Sequence, residues 1–497
     1  MAYFLYNINN MKKLLKISSL KYIVAFFLPL IFVMIYNHTL DNDSWDVLAQ
    51  GRYIFENGIY YTDALSMHNG LNITVQNYAF SVVFYAIYAA FGPAGLYIGM
   101  LVLEFLVCVL LYKIYMLLSN KNINLSLFAM ILTSSLLVIG FVTTRAQMLS
   151  YVIFLGTIYV LELYVKTGNN KFLWWVPLFS LVQINFHASL WPMIFLLLLV
   201  YIIDSIRMPK LHLQGYKTWP LVLVGIISFL VGFLNPYGLN MMILMFSSYG
   251  DATLMGFVSE LQPFDLRSVY NVILYGVTII ILVLCIFGNE KKMKMRFLLM
   301  FFGFLALGLN SLKGMSQYIL VMFFPLVLAY SDIKIENVID AKIGRDMVIS
   351  WCGILAVCLF VAECAFVVPN IKDGPDGVIM EVMDLIEEKN SQKGESGGNV
   401  FIGYNDGGYV EYRGYKAYLD PRGEVFLKKN NSEIDILKEY IELRDGKMDL
   451  DDLFDKYDFD YIIAEKSDGK IYELNMDEYE LIYENNDYKI RVFEAVR

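Results

Sequence analysis

The chain has 497 residues, of which 57% are hydrophobic, 15% aromatic and 18% charged, with a formal net charge of −9. So apolar a composition excludes an ordinary soluble enzyme and is typical of an integral membrane protein. No stretch is basic enough to indicate nucleic-acid binding. The five cysteines lie in apolar segments without metal-ligand spacing, so we expect neither a disulfide framework nor a cysteine metal site.

Long apolar runs predict about eleven transmembrane helices. The first run follows several lysines and is not followed by a small-residue cleavage site, so we expect it to stay as a signal anchor. The predicted spans are residues 21–38, 95–118, 125–142, 147–165, 171–186, 188–204, 218–234, 269–288, 297–311, 315–330 and 347–368.

Basic residues beside these spans predict the orientation, because inner loops of membrane proteins are enriched in Lys and Arg. The predicted cytoplasmic clusters are Lys12 to Lys21, then Arg207, Lys210 and Lys217, and then Lys291, Lys292, Lys294 and Arg296. This places the N-terminus in the cytoplasm and the C-terminus outside the plasma membrane.

The apolar run 77–91 would break that alternation if it crossed the membrane. Fifteen helical residues reach only about 22 Å, which is short of a bilayer core about 30 Å thick. We therefore predict a helix lying along the outer surface, as part of a first outer loop that covers residues 39–94.

The start of that loop, HTLDNDSWDVLAQGRYIFENG, gathers carboxylates and a tryptophan in a chain with few charges. We interpret it as the floor of an active site, with Asp41 and Asp43 as the candidate catalytic residues. A solvated loop with helix-capping aspartates is the simpler alternative. Two carboxylates two residues apart also suit a hard cation, but they are common at helix starts, so metal binding stays open.

Chemically varied side chains in other outer turns are predicted to share the side of Asp43. Arg145, His187 and Lys313 are candidates to bind a phosphate, and Asn185 and Glu260 emerge beside them. Four of them have a structural alternative. Arg145 and Lys313 are also explained as side chains that snorkel at helix ends. His187 is also explained as a residue that satisfies backbone groups at a turn, and Glu260 as a brace for its loop.

From about residue 370 the composition changes, and residues 371–497 contain 31 acidic against 17 basic residues. Amphipathic helices are predicted in GVIMEVMDLIEEKN and NSEIDILKEYIELRD, strands in NVFIGY, YKAYLD and DYIIAE, and a hairpin at the end. We therefore predict two domains, a transmembrane module over 1–369 and a small soluble extracytoplasmic α/β domain over 370–497.

The order of motifs resembles a bacterial group of multi-pass proteins with the glycosyltransferase C architecture, and is distantly similar to protein O-mannosyltransferases and aminoarabinose transferases. The series is LDNDSWDVLAQGRYIFENG, YYTDALS, TTRAQMLSYVIF, QINFHASLW, FLNPYG, SELQPFD and NDGGYVEYRGYKAYLDPRGEVF. It covers most of the chain, and its order is more specific than any one motif.

The resemblance implies a glycosyltransferase that moves a sugar from a polyprenyl-phosphate carrier to an acceptor on the outer face of the membrane, in cell-envelope glycan assembly. It implies an essential aspartate in the first outer loop, which points to Asp43 before Asp41. This chain departs from the group at Val47, Ala146 and Tyr78, where His, Pro and Trp are usual. A transporter of lipid-linked saccharides and an inactive scaffold of an envelope-polysaccharide pathway therefore remain alternatives.

Overall fold

The computed structural model describes most of the chain. The described residues are 17–36, 40, 42–206, 216–248, 251–288, 293–332, 342–371, 374–375, 377–431, 434–474 and 477–496. Asp41 lies outside them, as do many of the basic residues that predicted the orientation, namely Lys12, Lys13, Lys16, Arg207, Lys210, Lys291 and Lys292.

Helices make up the chain as far as residue 367, within the described part. They are α1 Ile17–Tyr36, α2 Asn42–Asn57, α3 Tyr78–Leu118, α4 Ile123–Phe141, α5 Gln147–Thr167, α6 Trp175–Phe186, α7 Pro192–Ser205, α8 Trp219–Val231, α9 Leu239–Ser248, α10 Ala252–Phe257, α11 Val269–Ile286, α12 Met295–Asn310, α13 Leu312–Val321, α14 Phe324–Ala329 and α15 Lys342–Val367. Short 3-10 helices at 170–174, 188–190 and 259–261 join some of them.

Every predicted span coincides with a helix or a helix pair. In the described residues, six helical segments are long and apolar enough to cross a membrane, and the chain is accordingly a mostly helical membrane protein. These segments are Tyr78–Leu118, Ile123–Phe141, Gln147–Thr167, Ala188–Ser205, Val269–Ile286 and Leu312–Ala329. Four further apolar stretches in the described part of the chain are shorter, Lys21–Tyr36, Trp219–Val231, Met295–Asn310 and Leu355–Asn370, so the count of eleven spans stays a prediction.

The faces of the helices separate into buried and exposed apolar surfaces. Tyr97 and Leu111 of α3 are fully buried among neighbouring helices, whereas Ile226 of α8 and Ile280 of α11 are more than half exposed. Large apolar side chains left uncovered on single helices are expected where lipid is the surrounding solvent.

A kink divides α3 between the predicted surface helix and the predicted span. Gly92 has φ 63° and ψ −163°, a conformation that suits glycine, and Pro93 follows it. The part before the kink packs against α2, where a Cβ added to Gly51 would lie 2.1 Å from the carbonyl oxygen of Ser81. The kink lies within three residues of the predicted boundary, while the location of residues 78–91 at the membrane surface stays a prediction.

The tail contains one mixed sheet and several short helices. Its elements are α16 Ile379–Lys393, β1 Asn399–Phe401, α17 Gly407–Tyr412, β2 Lys416–Ala417, α18 Lys428–Asn431, α19 Ile436–Arg444, α20 Leu450–Phe454, β3 Tyr461–Glu465, β4 Tyr479–Asn485 and β5 Ile490–Ala495. The strand order is β2-β1-β3-β5-β4, with β1 parallel to β2 and β3, and with β5 antiparallel to β3 and β4. The predicted strands and the terminal hairpin are confirmed.

The tail packs directly on the first predicted outer loop. The Trp45 ring of α2 lies 5.0 Å from the Tyr409 ring and 5.3 Å from the Tyr412 ring, both on α17. Val47 and Leu48 share one apolar core with Val410 and other buried tail residues. The change from helices to α/β structure falls where the composition changes, but this shared core joins the two parts, and their independence as domains stays a prediction.

Candidate active site

A cavity of about 530 Å³ lies between the helical part and the tail. The start of α2, the segment 73–77 and the turn 145–147 form one side of it, and the loop 257–261 closes another. The tail contributes residues 402–406 and 421–425. Of the seven predicted site residues, the cavity is lined by Asp43, Arg145, His187, Glu260 and Lys313.

Asp43, near the start of α2, forms an ion pair with Arg145. Its carboxylate oxygen Oδ2 lies 2.9 Å from Nη1 of Arg145, in the turn between α4 and α5. The same Nη1 lies 2.6 Å from Oε1 of Glu260. The Asp43 side chain is 41% exposed and the Arg145 side chain 22% exposed, so a ligand in the cavity can reach both. The structure thus brings together three residues that are more than 100 positions apart in sequence.

Glu260 keeps its negative charge because of its neighbours. Burial alone would raise the pKa of its carboxyl group, but the positive charges of Arg145 and Lys313 outweigh burial and hold that pKa below its ordinary value. Arg145 is therefore shared by two carboxylates, and the snorkelling alternative does not describe its geometry. A phosphate that approached this guanidinium would have to use its remaining donors or displace one carboxylate.

His187 is a neutral residue of the cavity. Its Nδ1 is hydrogen-bonded to Oγ of Ser150 at 2.8 Å, and its Nε2 to Oγ of Ser189 at 2.9 Å. Burial, reinforced by the charges of Lys313 and Arg145, lowers the pKa of His187 to about 3. It can therefore donate or accept a hydrogen bond at neutral pH, but it does not supply a positive charge to a phosphate.

Asn185 has a different place from the one predicted, since it is absent from the cavity lining. Its Oδ1 accepts a hydrogen bond of 2.5 Å from the Tyr78 hydroxyl. Its Nδ2 donates to the carbonyl oxygens of Leu181 and Leu234 at 2.7 and 3.1 Å. Because these bonds fasten the start of α3 to the turns after α6 and α8, Asn185 supports the site's surroundings, and its prediction as a binding residue is not supported by this geometry.

A buried ionic cluster extends inward from the wall of the cavity, which its members Asp46 and Arg422 line, and the sequence did not reveal it. The Arg422 guanidinium, in a side chain 4% exposed, lies 2.6 Å from Asp63, 2.6 Å from Asp420, 3.0 Å from Glu411 and 3.5 Å from Asp46. Four carboxylates thus surround one guanidinium. Asp420 and Arg422 of the tail are both buried, and Arg422 contacts Asp46 on α2 and Asp63 in the first predicted outer loop.

The excess of negative charge in this cluster changes the affinity of its members for protons. Burial raises the pKa of Asp46 and of Glu411 well above their ordinary values, and Arg422 opposes that rise only in part. Asp63 behaves in the opposite way, because Arg422 and the hydrogen bonds from Ser66 outweigh burial and lower its pKa. The cluster therefore binds protons more readily at Asp46 and Glu411 than at Asp63.

The same cluster bears on metal binding. Within the described residues, oxygen atoms of Asp46, Glu411 and Asp420 lie within 4.8 Å of one another, a spacing that could hold a cation. Arg422 contacts all three of these carboxylates and supplies a positive charge among them. The predicted hard-cation pair cannot be compared with this cluster, because Asp41 lies outside the described residues.

Asp406 adds another carboxyl group to the cavity from the tail side. Nδ2 of Asn42, at the first position of α2, donates to Oδ1 of Asp406 over 3.5 Å. Burial, with a smaller contribution from the charge of Glu465, raises the pKa of Asp406 to about 7. A group with such a pKa can exchange protons near neutral pH. Asp406 stands in the NDGGY motif of the sequence, but that motif alone did not predict a role for it.

Comparisons with known proteins give a structural similarity but no sequence match. No protein-family model matches the chain, and no curated protein matches it. Among solved structures, the chain is similar to the crystal structure of the Archaeoglobus fulgidus oligosaccharyltransferase in complex with Zn and sulfate. The identity is 10% and the TM-score 0.47, and the match covers 90% of this chain and 69% of that chain.

Proposed function

We propose that the protein is a membrane glycosyltransferase that transfers a sugar from a polyprenyl-phosphate donor to an acceptor outside the cytoplasm, in cell-envelope glycan assembly. One observation carries the proposal: Asp43 contacts Arg145 in a cavity that Lys313 and Glu260 also line. A transfer of this kind needs a carboxylate near the sugar and cations near the phosphate, and this cavity contains both.

The reaction assigns a task to each of these groups. The bond between the anomeric carbon and the phosphate oxygen breaks, and the acceptor oxygen forms a new bond to that carbon. Asp43 accepts the proton of the acceptor hydroxyl or stabilises the positive charge that develops on the sugar ring. Arg145 and Lys313 stabilise the departing polyprenyl phosphate, and a guanidinium can hold phosphate through two hydrogen bonds. His187, being neutral, holds the Ser150 and Ser189 hydroxyls in place through its two ring nitrogens.

The position of the cavity favours a transferase over a transporter. The cavity lies where helix ends meet the tail, and about half of its lining residues belong to the tail or to the loop 257–261. A transporter would instead need its polar groups near the middle of the membrane. This is the observation that separates the proposed transferase from a carrier of lipid-linked saccharides.

The test is the substitution Asp43→Asn in the full-length protein, assayed in vesicles. The donor is the lipid-linked sugar that accumulates in cells from which the protein has been removed. We expect transfer to be lost with normal expression, while Glu56→Gln, an exposed carboxylate on the same helix, leaves transfer unchanged. Transfer retained by the Asp43 variant would refute Asp43 as the key residue, and absence of transfer by the wild type would leave the transporter and the scaffold.

A divalent cation is a separable part of the hypothesis. Carboxylate oxygens are the ligands that such cations prefer, and a cation bound at Asp43 would add positive charge beside the phosphate. Transfer should then fall with EDTA and return with added Mg²⁺ or Mn²⁺. Transfer that is insensitive to EDTA would remove the cation from the proposal and leave Arg145 and Lys313 as the groups that neutralise the phosphate.

A further inference from the structure

A second cavity of about 360 Å³ adjoins the first. Ile73, Thr74, Glu424 and Val425 line both cavities and form the wall between them. The far side of the second cavity is formed by α9 and α18. Two spaces that share one wall can hold two substrates with their reacting ends close together, which a transfer reaction requires.

The lining of the second cavity combines polar and apolar side chains and contains little net charge. Asn72, Asn240 and Asn430 supply amides, which both donate and accept hydrogen bonds. Tyr61 is 56% exposed and offers a ring face. The cation of this cavity, Lys429, is paired with Asp251 at 2.9 Å. The first cavity differs, because Arg145 and Lys313 there suit an anion.

Amides, a carboxylate and an exposed aromatic ring match the surface of a neutral saccharide. Each sugar hydroxyl both donates and accepts, as the asparagine amides do, and the C–H face of a sugar ring packs on an aromatic ring. A lipid tail would instead need a lining that is mostly apolar, whereas the apolar side chains here alternate with amides, a carboxylate and a lysine; the apolar ones are Ile73, Ile243, Leu244 and Val425.

Glu424 is held in place at the shared wall. Its carboxylate accepts a hydrogen bond from the Gln76 side chain, which lines the first cavity. Its backbone carbonyl accepts a hydrogen bond of 2.9 Å from Nδ2 of Asn430. These bonds fix the carboxylate at the one boundary where a group from the second cavity would meet a group from the first.

We propose that the second cavity binds the saccharide acceptor and that Glu424 accepts a hydrogen bond, and then the proton, from its attacking hydroxyl. Of the two roles given to Asp43, this leaves it the second, to stabilise the positive charge on the sugar ring. The inference rests on the proposed function and names its acceptor class, a neutral oligosaccharide. Glu424 orients the hydroxyl toward the sugar donor in the Asp43 cavity, and the groups that bind the acceptor are Asn72, Asn240, Asn430 and Tyr61.

Binding to the purified full-length protein in detergent tests this assignment without a known donor. The first probe is a set of free neutral di- to hexasaccharides, observed by saturation-transfer difference NMR, and the second is undecaprenyl phosphate, observed by native mass spectrometry. The variants are Asn72→Ala with Asn240→Ala, both exposed in the protein, and Glu424→Gln. The matched control is Asn69→Ala, an exposed amide outside both cavity linings.

We expect saccharide binding to weaken about tenfold or more in the double variant and in Glu424→Gln, because hydrogen bonds are lost. Saccharide binding by the Asn69 control should not change, nor should binding of undecaprenyl phosphate by the double variant, whose two asparagines line only the second cavity. Equal saccharide binding by wild type and double variant, or no saccharide binding at all, would overturn the acceptor assignment. So would a loss of undecaprenyl phosphate in the double variant, which would make the cavity a carrier site.

The same measurements separate this inference from the proposed function. If wild type does not bind undecaprenyl phosphate, or if Arg145→Gln binds it as well as wild type does, the donor proposal fails while a saccharide result stands. If the lipid phosphate binds through Arg145 but the cavity variants keep their saccharide affinity, the acceptor site fails and the donor proposal stands.

Discussion

Asp46 lies one helical turn after Asp43 on α2, and its Oδ1 is 3.5 Å from Nε of Arg422 in the tail. The candidate catalytic helix is therefore attached, through its next turn, to a residue near the other end of the chain. Gln50, a further turn along, donates to both carboxylate oxygens of Asp46 at 2.9 Å. The position of Asp43 thus depends on polar contacts in the wall of the cavity, made by its neighbour Asp46.

Replacing Arg422 with Gln should destabilise the protein strongly. The change leaves four carboxylates buried with no guanidinium beside them, which costs about 3–5 kcal/mol when one partner of a buried ion pair is removed. The measurement is thermal unfolding in detergent followed by tryptophan fluorescence. The control is Arg491→Gln, whose ion pair with Glu484 is near the surface and should matter little. Equal melting temperatures for the two variants would contradict the role of Arg422.

Gly408→Ala should disturb the contact between α17 and α2. A Cβ at this position would lie 2.7 Å from the backbone nitrogen of Asp46, so one element has to move. Such crowding typically costs about 1–3 kcal/mol. We expect a lower melting temperature together with slower transfer, because α2 carries Asp43. Gly303→Ala, with no atom within 4 Å of the added Cβ, is the matched control and should keep both values.

Asp406 should make stability depend on pH. Its pKa is about 7 in the folded protein against 3.8 as the reference, so the folded state holds the proton more tightly. The stabilising contribution is complete below the reference pKa and is lost as pH rises through the folded pKa. Between pH 5 and 7.5 the wild type should lose on the order of 2 kcal/mol relative to Asp406→Asn. Parallel stability curves for the two proteins over this range would refute the shift.

Membrane orientation can be tested with single cysteines in a variant that lacks the five native ones. Asn69→Cys and Lys416→Cys place thiols at exposed positions in the first predicted outer loop and in the tail, and Lys171→Cys places one at the predicted inner end of the span 171–186. In intact cells, an impermeant maleimide should label the first two and not the third. Labelling of Lys171→Cys alone would reverse the orientation.

Much of the architecture follows from local patterns. Apolar runs of helical length coincide with helices. The terminal hairpin turns at Asn485–Asp487, and asparagine is a typical turn residue because its side chain bonds to nearby backbone. Here Asn485 accepts hydrogen bonds from the backbone amides of Asp487 and Tyr488, at 3.1 Å each. Predicted loops alternate between the two sides of the membrane, and this alternation put Asp43, Arg145 and Glu260 on the same side. The structure brings the three side chains together.

The ionic cluster shows where sequence reasoning ended. Arg422 stands in the polar segment DPRGE, and nothing local distinguishes a surface turn from a buried one. Its burial is decided by α2, which comes from the opposite end of the sequence and leaves room only because Gly408 has no side chain. The side chain of Asn185 is likewise held by a distant residue, since it accepts a hydrogen bond from Tyr78, more than 100 positions away.

The contact between α2 and α17 also sets an order of events during synthesis. The Asp43 helix ends at Asn57, and about 350 residues are made between it and Gly407–Tyr412, the segment that covers it. A nascent chain therefore carries its candidate catalytic aspartate without the tail wall of the cavity. The site is complete only once this distant segment has been made and has packed on α2, so folding of the tail and assembly of the site are one event.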